Sequence, residues 1–305
     1  MIPRPARVAL EELLGDRVHF DFPLSRCTSL RIGGPVDALA RPATRSEVTR
    51  TLRICATHRV PRWVIGSGFN TLALDSRLEG VAISLGKLRL LEERPGRHLR
   101  AEAGVSHSQL TNFCIERGFS GLEFACGIPG TVGGWLAMNA GVPGREMKDA
   151  VVELEVISPS GRKLRHLARS ELKFAYRALQ GLAPGSLILS ALFEIGLSEP
   201  EAVRAAVDQL LARRAESQPL NVPSCGSVFK NPPGDFAGRL LEAAGMKGRC
   251  LGGAEISPLH ANFIANRGGA TAADVLGLID EARAAVWRAS GVRLVPEVRI
   301  LGGKP

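Results

Sequence analysis

The chain has 305 residues, which corresponds to about two domains. Hydrophobic residues make up 45% and charged residues 23%, so the composition predicts a packed core and excludes a disordered chain. The formal net charge is +9, from 39 Lys and Arg against 30 Asp and Glu. The basic residues are spread along the chain, which disfavours a nucleic-acid-binding arm and suits small polyanions such as nucleotides. With a single tyrosine, Tyr176, the chain also offers little surface for base stacking.

Cysteine and histidine usage points to a protein without structural disulfides or zinc. No two of the six cysteines form a C-x-x-C pair, and no signal-peptide pattern precedes them, so we expect reduced thiols in a cytoplasmic protein. The histidines do not cluster with the cysteines, and no zinc or other metal site is predicted. No apolar stretch approaches the length of a membrane span, so no membrane association is expected.

In the first part of the chain, residues 1–26 carry little pattern and are expected to form a loosely specified arm. Thr44 and Glu47 have the spacing of a capping box, which marks a helix start. Gly118 is suited to close a later helix. The predicted elements are a short strand and turn over 27–35, a helix from 44 to about 58, strands over 63–65, 81–85 and 99–103, and a helix over 108–117.

The chain contains two glycine-rich stretches, and the first of them directly follows a predicted strand. The first is Gly66, Ser67, Gly68, Phe69, Asn70 and Thr71; its backbone N–H groups could converge on a phosphate, although it lacks the third glycine of the dinucleotide fingerprint. The second, 127–141, leads into a predicted helix whose N-terminus suits a pyrophosphate. Tight backbone packing is the alternative for the second stretch. Two such loops in one basic protein favour phosphate binding.

The second half alternates strands, a linker and helices. Ser198 and Glu201 form another capping-box pattern, and a domain boundary is predicted near 215, before the prolines of a linker. The predicted elements are strands over 151–157 and 187–195, a helix from 198 to about 214, a helix capped by Asp235 and ended by Gly245, a strand-like segment over 260–264, a helix from Thr271 to Gly291, and an extended segment over 294–300.

A hydroxyl, a cation and an amide lie close together in 224–232. Gly226 gives the backbone freedom beside Ser227, and Pro232 prevents a central strand from continuing. Such a segment could direct Ser227 into a cleft while Lys230 and Asn231 hold an anionic group. An ordinary surface turn is the alternative.

Three further polar positions have both a chemical and a structural interpretation. Arg177, beside Tyr176, could bind an anion or be a solvated charge. His260 is more often a structural histidine than a ligand. If 294–300 is extended, Glu297 and Arg299 share one face, as an exposed edge pair or as a buried pair in a cleft.

Taken together, these motifs resemble the UDP-N-acetylenolpyruvoylglucosamine reductase family, flavoenzymes of peptidoglycan precursor synthesis. The resemblance runs from about Cys27 to Gly302 with the motifs in the family's order. The segments that carry it are 66–71, 127–141, 171–177, 226–232, 237–242, 260–264 and 296–302. The chain is similar to the short branch of the family, since it lacks the additional tyrosine-bearing loop.

The resemblance implies an α+β fold: a two-subdomain FAD-binding cradle of the PCMH or vanillyl-alcohol-oxidase type, followed by a C-terminal α+β substrate-binding domain. The corresponding division of the chain is subdomain 1 over 1–85, joined by a C-terminal strand over 296–305, subdomain 2 over 86–197, a linking helix over 198–214, and the substrate domain over 215–295.

The resemblance also implies the roles of individual residues. The catalytic positions are Arg177, Ser227 and Glu297. The implied cofactor-binding residues are Gly66, Ser67, Gly68, Phe69, Asn70, Thr71, Ile128, Pro129, Gly130, Thr131, Gly133, Gly134, Asn139, Ala140, Gly141 and Arg299. The implied substrate contacts are Tyr176, Lys230, Asn231, His260 and Asn262.

The implied reaction has two halves. NADPH reduces FAD, and the reduced flavin delivers hydride to the enolpyruvyl double bond of the UDP-linked amino sugar, giving UDP-N-acetylmuramate. Ser227 would donate the proton, while Arg177 and Glu297 would stabilise the carboxylate-bearing intermediate. The resemblance implies a cytoplasmic enzyme of cell wall biogenesis, and hence of cell shape, cell division and the cell cycle. We expect a monomer.

Two residues depart from the family pattern: Phe69 stands where serine is usual, and Trp135 replaces a small residue. Two alternative functions remain open. Another FAD enzyme, such as an oxidase of alcohols or hydroxy acids, would keep both glycine loops but would not need the 226–232 segment. A basic nucleic-acid-binding protein is disfavoured by the dispersed charge and the few aromatic residues.

Overall fold

A computed structural model describes residues 1–302; the last three positions of the predicted 296–305 strand lie outside the described residues. The chain forms two compact units. Unit 1 comprises 1–20, 38–67 and 80–214, and unit 2 comprises 21–37, 68–79 and the chain from 215 onward. The glycine-rich stretch 66–71 is therefore divided between the units after Ser67.

The helices of the described residues are α1 (Arg4–Leu14), α2 (Arg45–Thr57), α3 (His107–Arg117), α4 (Val132–Ala137), α5 (Pro200–Ser217), α6 (Ala237–Ala243) and α7 (Ala272–Ser290). The strands are β1 (Val18–Pro23), β2 (Pro35–Ala40), β3 (Arg62–Ile65), β4 (Thr71–Ala73), β5 (Leu78–Ser84), β6 (Leu91–Arg94), β7 (His98–Glu102), β8 (Phe119–Ser120), β9 (Gly141–Val142), β10 (Arg145–Glu146), β11 (Val151–Ile157), β12 (Leu164–Ala168), β13 (Lys173–Ala175), β14 (Ala178–Gln180), β15 (Leu187–Glu194), β16 (Gly196–Leu197), β17 (Ser224–Ser227), β18 (Cys250–Leu251), β19 (Ala254–Ile256), β20 (Phe263–Asn266) and β21 (Arg299–Leu301).

The N-terminal region is regular, so the prediction of a loose arm was wrong. Helix α1 buries Leu10, Leu13 and Leu14 in one hydrophobic cluster with residues of α2 and the sheet β1-β2-β5-β3. Its helical spacing of leucines is a burial signal, but its N-cap Pro3 offers no side-chain hydrogen bond. The prediction for α2 is confirmed: Thr44 Oγ1 accepts the Glu47 amide at 3.1 Å.

The second layer of unit 1 is the antiparallel sheet β12-β11-β15-β7-β6. Its central strands β7, β11 and β15 confirm the strands predicted at 99–103, 151–157 and 187–195. Helices α3 and α4 contribute apolar residues to the same core as this sheet. Helix α3 ends at Gly118, with φ 63°, as predicted. It begins with a complete capping box between Ser106 and Gln109, which was not predicted.

Unit 2 combines the sheet β17-β20-β19-β18 with α6 and α7 around one core. Helix α7 has the predicted Thr271 cap, here a full box with Asp274, and the predicted terminal Gly291. Segment 27–34 contains turns and bends, and strand β2 begins only at Pro35, so the strand predicted over 27–35 was wrong. The helix predicted from 198 to about 214 instead starts at Pro200 and continues to Ser217.

No helix within residues 1–302 is both long enough and apolar enough to cross a membrane.

Candidate active site

Strand β17 carries Ser227 at its end in unit 2. It pairs antiparallel with β20, with Ser227 opposite Phe263 and an irregularity in register before it. Gly226 makes this possible, since its φ of +73° is a conformation that side-chain-bearing residues rarely adopt. A Cβ added there would lie 3.5 Å from the Phe69 carbonyl. Ser227 is half-buried at the strand end.

Glu297 lies on the chain segment that pairs with the continuation of this strand. Its amide donates to the Val228 carbonyl at 2.7 Å, and the Lys230 amide donates to the Val295 carbonyl at 2.9 Å. These two bonds flank an antiparallel bridge between Phe229 and Pro296. Unit 2 therefore joins the backbones of the Ser227 and Glu297 regions, which are far apart in sequence.

The end of the first glycine-rich stretch supports the same segment. Strand β4 pairs in parallel with β21, placing Thr71 opposite Arg299. The Asn70 side-chain amide donates to the Glu297 carbonyl at 3.3 Å, and the Arg299 amide donates to the Asn70 carbonyl at 3.2 Å. Asn70, predicted as a cofactor contact, thus holds the backbone on both sides of Val298.

Gly68 and Ser29 connect this loop to β17. Gly68 has φ +73°, and a Cβ there would lie 2.1 Å from the Cys27 carbonyl, so the position requires glycine. The Ser29 hydroxyl donates to the Ser224 carbonyl at 2.6 Å, and the Ser29 amide donates to the Gly68 carbonyl at 3.2 Å. Ser29 was not among the predicted site residues, because no local motif marks it and its role depends on two distant carbonyls.

The predicted substrate contacts in unit 2 have defined backbone partners. Asn231 Oδ1 accepts the amide of Ala237, the first residue of α6, at 3.0 Å. Asp235, predicted to cap this helix, instead forms an ion pair with Arg239, whose hydrogen bond lowers the pKa of Asp235 to about 2. Lys230 is half-buried.

His260 and Asn262 lie in the turn before β20, not in a strand as predicted. His260 Nδ1 accepts the Asn262 amide at 3.2 Å, and burial lowers the pKa of His260. The Asn262 side chain is buried, with both its oxygen and its nitrogen bonded to the Phe229 backbone.

In unit 1, Tyr176 and Arg177 form the turn of the β13–β14 hairpin, between the paired residues Ala175 and Ala178. Arg177 has φ 55°, which is uncommon for a residue with a side chain. Its guanidinium carbon lies 5.0 Å from the centre of the Tyr176 ring.

Asn139 connects the second glycine-rich stretch to this hairpin. It is fully buried, its Nδ2 donates to the Ala175 carbonyl at 3.1 Å, and its Oδ1 accepts the Lys148 amide at 3.1 Å. Gly141 is also packed internally, since a Cβ there would lie 2.4 Å from the Arg145 carbonyl. Ala140 is nine-tenths buried. The contacts found for these three predicted cofactor residues are with the protein itself.

The two glycine-rich stretches meet within unit 1 at Thr131. A Cβ at Gly66 would have only the Thr131 Oγ1 nearby, at 3.5 Å, and one at Gly134 would find the same atom at 3.9 Å. Neither glycine has a positive φ, so the protein's own packing and backbone conformation do not explain why they lack side chains. We call this open space beside the Thr131 hydroxyl the Thr131 notch. It allows close approach of another molecule, as a phosphate-bearing cofactor requires.

The start of α4 offers fewer free amides than the sequence predicted. Val132 donates to the Val105 carbonyl at 3.0 Å, and Gly133 donates to the Ala103 carbonyl at 2.9 Å. A Cβ at Gly133 would lie 2.9 Å from that of Ala103, so this glycine is explained by packing. Trp135 is buried in the core of unit 1, whereas Phe69 is 37% exposed. Thus Trp135 is accommodated as a core residue.

Comparison with known proteins identifies the family. Residues 218–301 match the family model described as the UDP-N-acetylenolpyruvoylglucosamine reductase C-terminal domain, and 36–166 match an FAD binding domain. The chain is 44% identical over 281 residues to the UDP-N-acetylenolpyruvoylglucosamine reductase of Heliobacterium modesticaldum, covering 92% of this chain and 89% of that protein. The chain belongs to the UDP-N-acetylenolpyruvoylglucosamine reductase family. A second reductase, from Symbiobacterium thermophilum, is 42% identical and covers 99% of this chain and 98% of its own.

Solved structures agree with this assignment. The crystal structure of the reductase from Thermus caldophilus matches with a TM-score of 0.79 and 33% identity, covering 92% of this chain and 97% of that chain. Phl p 4.0202, a glucose dehydrogenase, matches with a TM-score of 0.52 and 14% identity over 65% of this chain and 45% of its own, which shows a shared fold alone. The predicted family, the predicted α+β fold with an FAD-binding part and a C-terminal domain, and the predicted FAD cofactor are confirmed.

Proposed function

We propose that this protein reduces UDP-N-acetylglucosamine enolpyruvate to UDP-N-acetylmuramate, with FAD as cofactor and NADPH as hydride donor. One observation within the structure carries the proposal: the Glu297 amide bonds to the Val228 carbonyl, so that a carboxyl and the Ser227 hydroxyl belong to paired segments of one unit. The family and the FAD-binding domain supply the context.

Ser227 is the proposed proton donor. A serine hydroxyl is a very weak acid, but the enol-type intermediate formed by hydride addition is a strong base, which makes the transfer feasible when the geometry is right. The half-buried position at the end of β17 is consistent with this role. Glu297, protonated or bridged by water, would hold the substrate carboxylate. We place this proton transfer at the carbon opposite the one that receives hydride.

Arg177 is the proposed partner of the developing negative charge. A guanidinium can hold a carboxylate by two parallel N–H bonds, which an ammonium cannot reproduce. Preorganised donors of this kind are typically worth about 3–4 kcal/mol in the transition state. The tight turn of the β13–β14 hairpin fixes the backbone that carries Arg177.

FAD would be held by the glycine-rich stretches that border the Thr131 notch, with Gly66 and Gly134 leaving space beside the Thr131 hydroxyl. The chemistry supplied by bound FAD is hydride transfer, from NADPH to the enolpyruvyl carbon. The remaining predicted contacts in the 66–71 and 128–134 segments, and Arg299 in β21, are proposed to line the cofactor site. Asn139 would act at one remove by supporting the hairpin that bears Arg177.

Lys230 and Asn231, which follow Ser227 by three and four residues, are proposed to bind the UDP pyrophosphate, with Tyr176 and His260 as further substrate contacts. We retain the predicted division into two FAD subdomains, a linking helix and a substrate domain.

We also propose a cytoplasmic monomer that supplies peptidoglycan precursors, and hence serves cell shape and cell division. All six cysteines are free thiols, which is consistent with a reducing compartment.

The test is spectroscopic. Purified protein should be yellow, should lose its flavin absorbance when NADPH is added without oxygen, and should regain it when the UDP-enolpyruvyl sugar is added. Recovery with a simple alcohol or hydroxy acid in place of that sugar would instead indicate an oxidase on the same fold. A colourless protein would contradict the proposal at its first step.

A further inference from the structure

In unit 2, the Asn262 side chain lies beside the Phe229 backbone, where a neighbouring β-strand would otherwise provide the hydrogen bonds. The pairing of β17 with β20 ends at Ser227 and Phe263, because the chain before Phe263 turns away through His260. The backbone of Phe229, two residues beyond Ser227, therefore has no further β20 residue beside it. Phe229 is only 2% exposed, so its amide and carbonyl are shielded from bulk water and need partners within the protein.

The segment on the other side of Phe229 cannot satisfy those groups either. Its bridge with Pro296 is flanked by the bonds from Lys230 to Val295 and from Glu297 to Val228, which makes it a non-hydrogen-bonded pair. The N–H and C=O of a residue in such a pair point away from the partner strand. Both groups of Phe229 consequently depend on Asn262.

The Asn262 side chain supplies both missing partners. Its Oδ1 accepts the Phe229 amide at 2.9 Å, and its Nδ2 donates to the Phe229 carbonyl at 2.8 Å. Its own backbone carbonyl accepts the Val228 amide at 2.9 Å. A single residue thus makes three hydrogen bonds to the two positions that follow Ser227, and the opposite face of Val228 is bonded to Glu297.

We propose that Asn262 is a positioning residue that fixes the segment between Ser227 and Glu297, in place of the direct substrate contact predicted for it. This inference rests on the proposed function, because it gives Ser227 and Glu297 their roles. The expected consequence of losing Asn262 is selective. The segment that carries the proton donor loosens, whereas the NADPH-dependent reduction of the flavin does not use that donor.

The test compares the two half-reactions in flavin-loaded protein without oxygen. Asn262→Ala should slow reoxidation by the UDP-enolpyruvyl sugar by about 10-fold or more, since displacements near 1 Å can cost about 100-fold, and should leave reduction by NADPH within about twofold. Asn262→Ser keeps one hydrogen-bonding group, so its reoxidation rate should lie between those of the parent protein and Asn262→Ala. It replaces the alanine variant in this test if that variant does not fold. Asn266→Ala is the matched control. Asn266 lies in β20, with its side chain bonded to the Leu30 carbonyl at 3.0 Å and to the Gly268 amide at 2.9 Å.

A double-variant cycle separates positioning from a general structural role. If Asn262 acts through Ser227, adding Asn262→Ala to Ser227→Ala should slow reoxidation no further, whereas independent effects multiply. Equal losses in both half-reactions, or normal reoxidation in folded Asn262→Ala, would overturn the positioning role while Ser227→Ala alone remained defective. If Ser227→Ala itself reoxidised at the normal rate, the proposed function would fail first, and this inference with it.

Discussion

The Glu297 amide donates a 2.7 Å hydrogen bond to the Val228 carbonyl, one residue after Ser227. This bond joins the last segment of the chain to the end of β17, and Asn70 supports it by donating to the Glu297 carbonyl. The backbone amide and carbonyl of Glu297 are therefore both hydrogen-bonded, and these bonds fix the backbone that carries its carboxyl. Its side-chain chemistry can be changed without removing those bonds.

Glu297→Gln tests that carboxyl. The change keeps size and backbone pairing but removes the ionisable group, so we expect normal flavin content and a reoxidation rate lowered by about 100-fold, the effect typical of one preorganised group. Stopped-flow flavin absorbance measures it. Glu281→Gln, an exposed partner of Arg249, is the control and should behave as the parent protein. Unchanged reoxidation in Glu297→Gln would exclude a catalytic role for the carboxyl.

Arg177→Lys tests the planar guanidinium. Lysine keeps the charge but not the paired N–H donors, so reoxidation by the UDP-enolpyruvyl sugar should slow by about 100-fold or more. Arg165→Lys is a suitable control because Arg165 also lies in unit 1, 65% exposed and 3.5 Å from Glu171. If the two lysine variants had the same turnover, Arg177 would be a solvated charge.

Gly134→Ala tests the Thr131 notch. Its Cβ has open space and the backbone is not left-handed, so the apoprotein should lose no thermal stability, and alanine should favour the helix slightly. FAD affinity, measured by titration of the apoprotein, should fall by about 10-fold because the methyl group fills the space left for the cofactor.

Gly133→Ala is the contrasting variant. Its Cβ would lie 2.9 Å from that of Ala103, so it should lower the free energy of unfolding by about 1–3 kcal/mol even without FAD. Undiminished FAD affinity in Gly134→Ala would show that the notch is not part of the cofactor site.

His260 should make stability depend on pH. Burial lowers its pKa, and its Nδ1 accepts the Asn262 amide, which a protonated ring cannot do. The unfolded chain therefore binds the proton more readily. The contribution of neutral His260 to the free energy of unfolding is fully present above the ordinary histidine pKa of about 6.5. It is lost as pH falls through the lower pKa of the folded state. Urea unfolding at a series of pH values should show a shallower dependence for His260→Asn, which keeps an acceptor. An identical dependence would contradict this account.

Local signals in the sequence predicted much of the fold. Thr271 and Gly291 predicted the two ends of α7, and Gly118 predicted the end of α3, because capping signals act within a few residues. Helix α1 was missed because its cap is a proline and its signal is burial alone.

The candidate site was less predictable because its geometry depends on distant pairings. No sequence signal near Glu297 indicates that its backbone amide bonds to the Val228 carbonyl. Likewise, no signal near Asn262 indicates that its side-chain amide bonds to the Phe229 backbone. The family resemblance implied that Asn139 is a cofactor contact and Asn262 a substrate contact. The structure shows that their amides hold the protein's own backbone, as buried amides must be satisfied wherever a partner is available.

The most direct measurement of the central claim is single-turnover reoxidation of NADPH-reduced Ser227→Ala by the UDP-enolpyruvyl sugar. NADPH should bleach the flavin of this variant at the parent rate, and the absorbance should then return at least about 100-fold more slowly than in the parent protein. Ser290→Ala, in which the lost hydroxyl donates to the Val286 carbonyl at 2.8 Å and accepts the Val292 amide at 3.3 Å, should complete both steps. Return of the flavin absorbance in Ser227→Ala at the parent rate would contradict the account.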